Sequence, residues 1–308
     1  SNSKILIVGD VMLDKYYFGK VDRISPEAPV PIVNIQKEES RLGGASNVAN
    51  NIVSLGGHSL LCGVIGHDLF GKEIERISRH KNIDTFLLKT SSPTITKARI
   101  IGGKQQIVRV DYEDKSELNA DNKKLFRDTI SRILPEYDIL VISDYGKGLI
   151  SEDLCRYLIK LAHKYDKKVI IDPKGKNWEK YSGADIVTPN VKELSDIVGY
   201  TVPNTDRAIE KAAREAITNN HLTALLVTRS DKGMSLIGPI PPIHIPTHSE
   251  EVFDVSGAGD TVVATLGLCL AAGFEISEAM RTANIAAGIV VKKVGTATLT
   301  IEELVQQK

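Results

Sequence analysis

Residues 254–260 (Asp-Val-Ser-Gly-Ala-Gly-Asp) combine small residues with two carboxylates and run directly into an apolar segment of helical character. Gly257, Ala258 and Gly259 let a ligand approach the backbone closely, and the first turn of a helix presents N–H groups that lack intrahelical partners. Such a turn binds anions, phosphate groups among them. Asp260 lies in the same turn, where it could accept a proton from a hydroxyl group that attacks a bound phosphorus. The pattern predicts a phosphate site with an adjacent base; the alternative is an ordinary helix start with Asp260 as a first-turn charge.

Two further segments carry groups that suit a sugar. Gly43 and Gly44 precede Asn47 at a second helix start, where backbone N–H groups and the side-chain amide could contact hydroxyl groups. A plain helix start is the alternative there. Asp14 follows the first predicted strand, at the edge where ligands of open α/β sheets bind. A carboxylate at that edge can accept hydrogen bonds from two neighbouring sugar hydroxyls.

Residues 190–193 (Asn-Val-Lys-Glu) lie between a strand end and a short helix. Asn190 and Glu193 are three positions apart, so a helical turn places them on one side. A carboxylate and an amide there could hold Mg²⁺ through water, the usual manner for Mg²⁺ beside phosphates. The same spacing is that of a capping box with Glu at the third helical position. The spacing by itself favours neither interpretation.

The apolar runs place these motifs in an α/β fold. Residues 4–10 have the pattern of a strand buried on both faces, and helical patterns then alternate with similar runs as far as residue 228. This alternation predicts a doubly wound, mostly parallel sheet with helices on both faces. The predicted helices lie at about residues 45–55, 69–80, 120–133, 151–165, 205–219, 258–272 and 277–292.

Two stretches break the alternation, at about residues 15–36 and 94–113. The second has two strand-like runs joined by two glycines and predicts a β-hairpin. Strands without crossover helices do not easily join a parallel sheet, so we expect both stretches to form a small separate sheet that acts as a lid. We therefore expect one domain, residues 1–308, with this lid. Its apolar outer face predicts a homodimer in which a second chain covers the lid.

The composition excludes several classes of protein. Lys+Arg 39 and Asp+Glu 39 in 308 residues give a formal net charge of zero, unlike the basic surface of a general nucleic-acid binder. The three cysteines, Cys62, Cys155 and Cys269, have neither a disulfide framework nor metal-ligand spacing, which favours a reducing compartment. No secretory signal is recognisable, and the longest apolar run, residues 261–274, is shorter than the roughly 20 residues that a membrane span needs. We expect a cytoplasmic protein that binds neither nucleic acid nor membrane.

The motifs together resemble those of the ribokinase-like (PfkB) sugar kinases, in the same order along the chain. Residues 43–47, 190–193 and 254–260 carry this likeness; Ser256 stands where the pattern leads us to expect Thr. Within the family, the chain looks most like the kinases of D-glycero-β-D-manno-heptose 7-phosphate, which serve lipopolysaccharide precursor synthesis. The narrower likeness rests on residues 9–14, 23–31, 105–111 and 143–148.

The resemblance implies ATP and Mg²⁺ as cofactors, with a monovalent cation as a further candidate. It implies that Asp260 is the catalytic base and that the N–H groups of Gly257, Ala258 and Gly259 form an anion hole. Glu193 would hold Mg²⁺ through water. The residues implied in sugar binding are Asp14, Gly43, Gly44 and Asn47. The residues implied in nucleotide binding are Asn190, Val191, Lys192, Glu193, Arg229, Gly233, Asp254 and Asn284.

A sugar phosphate as substrate also needs cations for its own phosphate, and the candidates are Arg109, Lys147 and Lys174. Lys147 and Lys174 follow predicted strands and Arg109 lies on the predicted lid, so the three could converge on one anion. A solvated surface charge is the alternative for each of them.

The expected activity is transfer of the ATP γ-phosphoryl group to the anomeric hydroxyl of the heptose 7-phosphate, which gives the 1,7-bisphosphate. A kinase of this family for another sugar or sugar phosphate is the first alternative. A dinucleotide-dependent oxidoreductase is a remote one, because no G-x-G-x-x-G turn is complete around Gly9 or Gly63. The intact residues 254–260 argue against a silent sugar-binding regulator. No His-x-Gly-His loop of a nucleotidyltransferase occurs, so we expect this chain only to phosphorylate.

Overall fold

A computed structural model describes residues 3–247 and 252–306. The first half comprises β1 (Lys4–Gly9), β2 (Val11–Ile24), β3 (Pro31–Gly44), α1 (Ala45–Ser54), β4 (His58–Gly66), α2 (Leu69–His80), β5 (Asp84–Thr90), β6 (Thr96–Gly102), β7 (Gln105–Tyr112) and α3 (Ala120–Ile133). The second half comprises β8 (Ile139–Ser143), α4 (Glu152–Lys164), β9 (Lys168–Asp172), β10 (Ile186–Val187), α5 (Val191–Val198), α6 (Asp206–Asn220), β11 (Leu225–Thr228), β12 (Met234–Ile237), β13 (Ile243–Ile245), α7 (Ala258–Ala271), α8 (Ile276–Val290) and α9 (Ile301–Val305).

The larger sheet has nine strands in the order β13-β12-β11-β10-β9-β8-β1-β4-β5. All neighbours from β11 to β5 run parallel, which confirms the predicted doubly wound, mostly parallel sheet. The sequence patterns do not predict the antiparallel edge of β12 and β13, because both strands are short and no crossover helix announces them. Gly9, Ser143 and Asp172 pair in register at the carboxyl ends of β1, β8 and β9. The segments that follow these strands therefore meet at one edge.

Apolar side chains cover both faces of the larger sheet, as its continuous apolar strands require. Ile5 and Ile7 of β1 belong to one core cluster with α1, α2, α7 and α8. Leu6 and Val8 alternate to the other face and belong to a cluster with α3, α4, α5 and α6. Helix α7 is buried from Asp260 to Cys269, while Gly259 is exposed, so the sheet and its neighbours fix the position of the helix start. None of the helices in the described ranges has the length and apolar composition needed to span a membrane.

The smaller sheet has four strands in the order β3-β2-β6-β7. The predicted stretches 15–36 and 94–113 thus form one separate sheet, with the expected hairpin of β6 and β7. The first stretch is longer than expected, because β2 and β3 extend to Val11 and Gly44 and connect the sheet directly to β1 and α1. Asp14 consequently lies within β2 rather than in a loop after β1.

Candidate active site

The start of α7 provides backbone N–H groups for an anion. Gly257 caps the helix with a left-handed backbone (φ 81°), which glycine adopts without steric cost. The N–H groups of Gly257 and Gly259 have no acceptor within the described ranges, and the space around the Gly259 Cα is open. Ala258 donates its N–H to the Val255 carbonyl at 3.2 Å. The structure therefore leaves two of the three expected anion-hole donors free.

Asp260 is the buried carboxylate of this first turn, with 3% of its surface exposed. Its Oδ2 accepts a hydrogen bond from Asn47 Nδ2 at 2.8 Å. Its Oδ1 accepts one from the Tyr145 hydroxyl at 2.7 Å. Burial raises the pKa of Asp260 to about 6, and these two hydrogen bonds limit the rise. A carboxyl with this pKa is mostly ionised at neutral pH and is suited to accept a proton there.

Tyr145 is a site residue to which the motif analysis assigns no role. It follows β8 in a loop that Asp10 holds in place, because Asp10 Oδ2 accepts the backbone N–H groups of Tyr145 and Lys147 at 2.8 and 3.1 Å. The sequence offers two signals for it, the position directly after a buried strand and the place within residues 143–148, which carry the narrower resemblance. Neither signal specifies where the hydroxyl points, so the contact with Asp260 emerges only from the fold.

The predicted sugar residues come from β2, β3 and α1. The Oδ1 atom of the buried Asp14 lies 2.6 Å from Arg99 Nη1. A side chain at Gly43 would meet Asp14 Oδ2 at 2.5 Å, so this glycine leaves the carboxylate its space. Gly44 adopts φ 55° and caps α1, which directs Asn47 of the first turn toward the carboxylate of α7. The fold thus brings Asn47 into contact with that carboxylate and Asp14 close enough to raise its pKa.

A cavity of about 590 Å³ opens at the same helix start. Its volume lies in the range of small-molecule sites, roughly 300–1,000 Å³. Ala258 and Gly259 line it together with apolar side chains such as Met234 and Val262. An apolar wall beside free N–H groups suits a ligand with a flat base and an anionic tail. Six predicted nucleotide residues line the cavity: Asn190, Val191, Lys192, Arg229, Gly233 and Asn284.

Two of these cavity residues have their polar groups bound by protein. The buried Arg229 donates from Nη1 to Asp206 Oδ1 at 2.5 Å and to Ser235 Oγ at 2.9 Å. Asn284 donates from Nδ2 to the Pro246 carbonyl at 2.7 Å. The Arg229 guanidinium therefore shapes the wall of the cavity, while the Asn284 amide keeps a second N–H and its oxygen for other partners.

Asp254, also predicted to serve the nucleotide, does not line this cavity. Its Oδ1 accepts the N–H of Ser256 and its Oδ2 that of Gly295, each at 2.8 Å. Partial burial acts to raise its pKa, but the hydrogen bonds from Ser256 and Gly295 outweigh it and leave the pKa below the ordinary value. The carboxylate therefore ties the loop before α7 to the segment after α8.

Asn190 and Glu193 form a complete capping box at the start of α5. Asn190 Oδ1 accepts the Glu193 N–H at 2.8 Å, and Glu193 Oε2 accepts the Asn190 N–H at 3.1 Å. The second oxygen, Oε1, lies 3.1 Å from Lys174 Nζ. The residues that could hold Mg²⁺ thus also cap the helix, and the two interpretations of the spacing are compatible.

The negative charge at this edge is only partly compensated. Burial, followed by the charges of Asp260 and Glu193, raises the pKa of Asp172 well above its usual range. No group of three or more His, Cys, Asp or Glu side chains within residues 3–247 and 252–306 is arranged to hold a metal ion. The carboxylates of Asp172 and Glu193 fit a Mg²⁺ ion that keeps water and phosphate oxygens as its other ligands.

The three cations expected at a substrate phosphate take different places. Arg109 forms two hydrogen bonds, of 2.8 and 2.9 Å, with Asp111 on its own strand, β7 of the small sheet. Lys147 contacts Glu113 beside the small sheet. Lys174 contacts Glu193, at the start of α5. Only Arg109 and Lys147 therefore lie at the small sheet, while the Lys174 ammonium faces the candidate Mg²⁺ residues.

Comparison with known proteins gives consistent results at the level of family and fold. The family model described as "pfkB family carbohydrate kinase" matches residues 2–303. "Bifunctional protein HldE" of Haemophilus influenzae (strain PittEE) is 46% identical over 304 residues, which are 98% of this chain and 63% of that protein. The protein of the same name from Nitratiruptor sp. is 43% identical over 98% of this chain and 64% of its own length. This chain thus spans less than two thirds of either relative.

Two solved structures show the same fold at low sequence identity. Phosphofructokinase-2 from Escherichia coli, in its tetrameric inhibited form, superposes with a TM-score of 0.82 and 19% identity over 99% of this chain and 98% of its own. Ribokinase from Thermotoga maritima gives a TM-score of 0.78 and 23% identity over 98% of each chain. These likenesses confirm the expected α/β fold with its smaller second sheet.

Proposed function

Since the chain belongs to the pfkB family of carbohydrate kinases, we propose that it transfers the γ-phosphoryl group of ATP to the anomeric hydroxyl of D-glycero-β-D-manno-heptose 7-phosphate. One observation carries the proposal. The buried Asp260 accepts a hydrogen bond from Asn47 and interacts electrostatically with Asp14, while Gly259, the residue before it, lines the cavity. A phosphoryl donor in the cavity and a hydroxyl beside Asp260 would therefore meet at the start of α7.

The chemistry asked of the protein is mainly positioning and charge stabilisation, as in other phosphoryl transfers. Asp260 would accept the proton of the attacking anomeric hydroxyl, with Asn47 and Tyr145 fixing the orientation of its carboxylate. The free N–H groups of Gly257 and Gly259 would stabilise the charge on the migrating phosphoryl group. Because Asp260 is buried beside this site, its proton acceptor atom is shielded from bulk water.

Magnesium has a suitable place next to this geometry. Glu193 and Asp172 would hold the ion, mostly through water, on the side of the nucleotide phosphates. A divalent cation there would neutralise charge on the phosphates. Lys174, whose Nζ lies 3.1 Å from Glu193 Oε1, would then contribute a second positive charge to the nucleotide side of the site.

The choice of heptose 7-phosphate rests on the sequence. Residues 9–14, 23–31, 105–111 and 143–148 carry the narrower resemblance, and the 46% identity to the bifunctional protein of Haemophilus influenzae supports it. That identity covers 63% of the relative, so the proposal concerns the kinase reaction alone. A kinase for another phosphorylated sugar is the competing proposal.

The test is an assay of ADP release with a panel of acceptors. D-glycero-β-D-manno-heptose 7-phosphate should give the highest kcat/KM, ahead of fructose 6-phosphate, unphosphorylated heptose and ribose. Addition of EDTA should abolish the reaction, and excess Mg²⁺ should restore it. A higher kcat/KM with fructose 6-phosphate would replace the proposed substrate, and no acceptor-dependent ADP release at all would refute the kinase function.

The same proposal includes the setting of the enzyme. We infer a cytoplasmic homodimer in which the small sheet closes over the sugar and packs against its counterpart. The outward-facing Val108 and Val110 of β7 are 45% and 39% exposed, and burial of such side chains favours association. Val108→Glu should convert the dimer to a monomer in light scattering; an unchanged mass would refute this interface.

A potassium complex of Escherichia coli phosphofructokinase-2 exists, so activity should also be compared in K⁺ and Na⁺.

A further inference from the structure

We propose that Lys97, on the small sheet, binds the phosphate group that the acceptor sugar carries, with Lys147 and Arg109 as its supporting cations. The proposal deepens the proposed function and rests on it, because it takes the acceptor to be a sugar phosphate. Lys97 belongs to none of the sequence motifs that predict the site residues.

Strand pairing places Lys97 on the charged face of the small sheet. Asp14 of β2 and Asp111 of β7 pair directly with Lys97 of β6, and directly paired residues project from the same face. The next row of that face contains Arg99 and Arg109, which also pair with each other. Because Asp14 belongs to the predicted sugar site, this face of the sheet is the one turned toward the substrate.

Each of the neighbouring cations has its own carboxylate. Arg99 pairs with Asp14, Arg109 pairs bidentately with Asp111, and Lys147 pairs with Glu113. Lys97 forms no ion pair with any residue that the structure describes; its ammonium group lies over the face of the Tyr145 ring, with Nζ 5.7 Å from the ring centroid. It is therefore the cation of this group that has no carboxylate of a described residue within ion-pair distance.

The surroundings of Lys97 disfavour a bare ammonium group. Its side chain is half-buried, and burial lowers its pKa, as do the charges of Lys147, Arg109 and Arg99; Asp14 acts in the opposite direction. A partly desolvated cation beside other cations is costly unless an anion joins them. A phosphate dianion has the charge and the several acceptor oxygens that would satisfy Lys97 and its neighbours together.

Lys97 also lies at a useful position relative to the reacting groups. It interacts electrostatically with Asp14 and contributes to lowering the pKa of Asp260. The sugar would thus extend from its reacting hydroxyl at Asp260, past Asp14, to a phosphate at Lys97. An acceptor without a phosphate would leave Lys97 without an ion-pair partner, which gives the enzyme a means to select phosphorylated sugars.

The experiment compares Lys97→Met, Lys97→Arg and, as a matched control, Lys104→Met in the exposed β6–β7 turn. Loss of one charged contact to phosphate should raise the KM for the heptose 7-phosphate about 10- to 100-fold. The KM for ATP should change less than about threefold. Lys97→Arg should recover most of the affinity, and Lys104→Met should resemble the unaltered enzyme.

A second measurement separates this inference from the proposed function. Inorganic phosphate is titrated into the protein while saturating β,γ-imido-ATP and Mg²⁺ occupy the nucleotide site, and binding is followed by the phosphate-induced rise in Tm. The unaltered protein and Lys104→Met should bind phosphate, and Lys97→Met should lose at least tenfold in affinity. Equal phosphate binding in all variants would overturn the role of Lys97.

The kinetic result can also overturn the inference in a distinct way. If Lys97→Met leaves the KM for the sugar phosphate unchanged and instead shifts the acid limb of the kcat profile, Lys97 acts on Asp260 and does not bind the phosphate. If the unaltered enzyme shows no acceptor-dependent ADP release, the proposed function fails. The phosphate titration then still decides whether Lys97 forms an anion site.

Discussion

Replacement of Asp260 by Asn should lower the activity of the enzyme and raise its stability at pH 8. Burial raises the pKa of this carboxyl from 3.8 to about 6. Folding therefore favours its protonated form. The stabilisation that the protonated Asp260 carboxyl gives to the folded state is fully present below about pH 4. It is lost as the pH rises through about 6. A shift of about two units corresponds to roughly 3 kcal/mol of destabilisation at pH 8.

The introduced amide is compatible with the hydrogen bonds at this position. Its oxygen can accept from Asn47 Nδ2, and its NH₂ group can donate to the Tyr145 hydroxyl, which also acts as an acceptor. We therefore expect Asp260→Asn to raise the free energy of unfolding at pH 8 by up to about 3 kcal/mol, which urea unfolding would show as a higher midpoint concentration. Near pH 4 the gain should vanish, because the unaltered carboxyl is then protonated.

The same substitution removes the proton acceptor, so kcat should fall by about 10²–10⁴. The kcat of the unaltered enzyme should itself fall about tenfold between pH 7 and pH 5, as a base with a pKa of about 6 becomes protonated. Urea unfolding at both pH values and a steady-state ADP-release assay provide the measurements, with the exposed Asp121→Asn as control. A kcat within tenfold of the unaltered enzyme, or a stability gain that is the same at pH 4 and pH 8, would refute the reasoning.

Three further substitutions test neighbouring contacts. Tyr145→Phe removes a hydrogen bond that lowers the pKa of Asp260, so the acid limb of the kcat profile should move to higher pH; an unmoved limb would contradict this. Gly43→Ala puts a methyl group 2.5 Å from Asp14 Oδ2 and should raise the KM of the sugar more than that of ATP. Gly259→Ala meets no atom within 4 Å, so Tm should hold while the KM of ATP rises, because the methyl group enters the cavity.

Local patterns in the sequence suffice for most of the secondary structure. The helix expected at about 45–55 is observed at Ala45–Ser54, and the one at about 258–272 at Ala258–Ala271. These elements follow from hydrophobic periodicity and from glycine at the helix starts, which act over a few residues. The glycine-rich string before Asp260 likewise specifies a helix start with a carboxylate in its first turn.

The partners of those residues are decided only by the tertiary structure. Asn47 and Tyr145 lie 213 and 115 positions from Asp260, and no spacing rule connects residues so far apart. Lys174 illustrates the same limit, since its position after a strand leaves open whether the ammonium group meets Glu193 or the small sheet. Side-chain direction, burial and the pairing of charges depend on which strands and helices become neighbours. A local pattern therefore predicts that Asp260 begins a helix, while the packed fold determines its hydrogen bonds and its pKa.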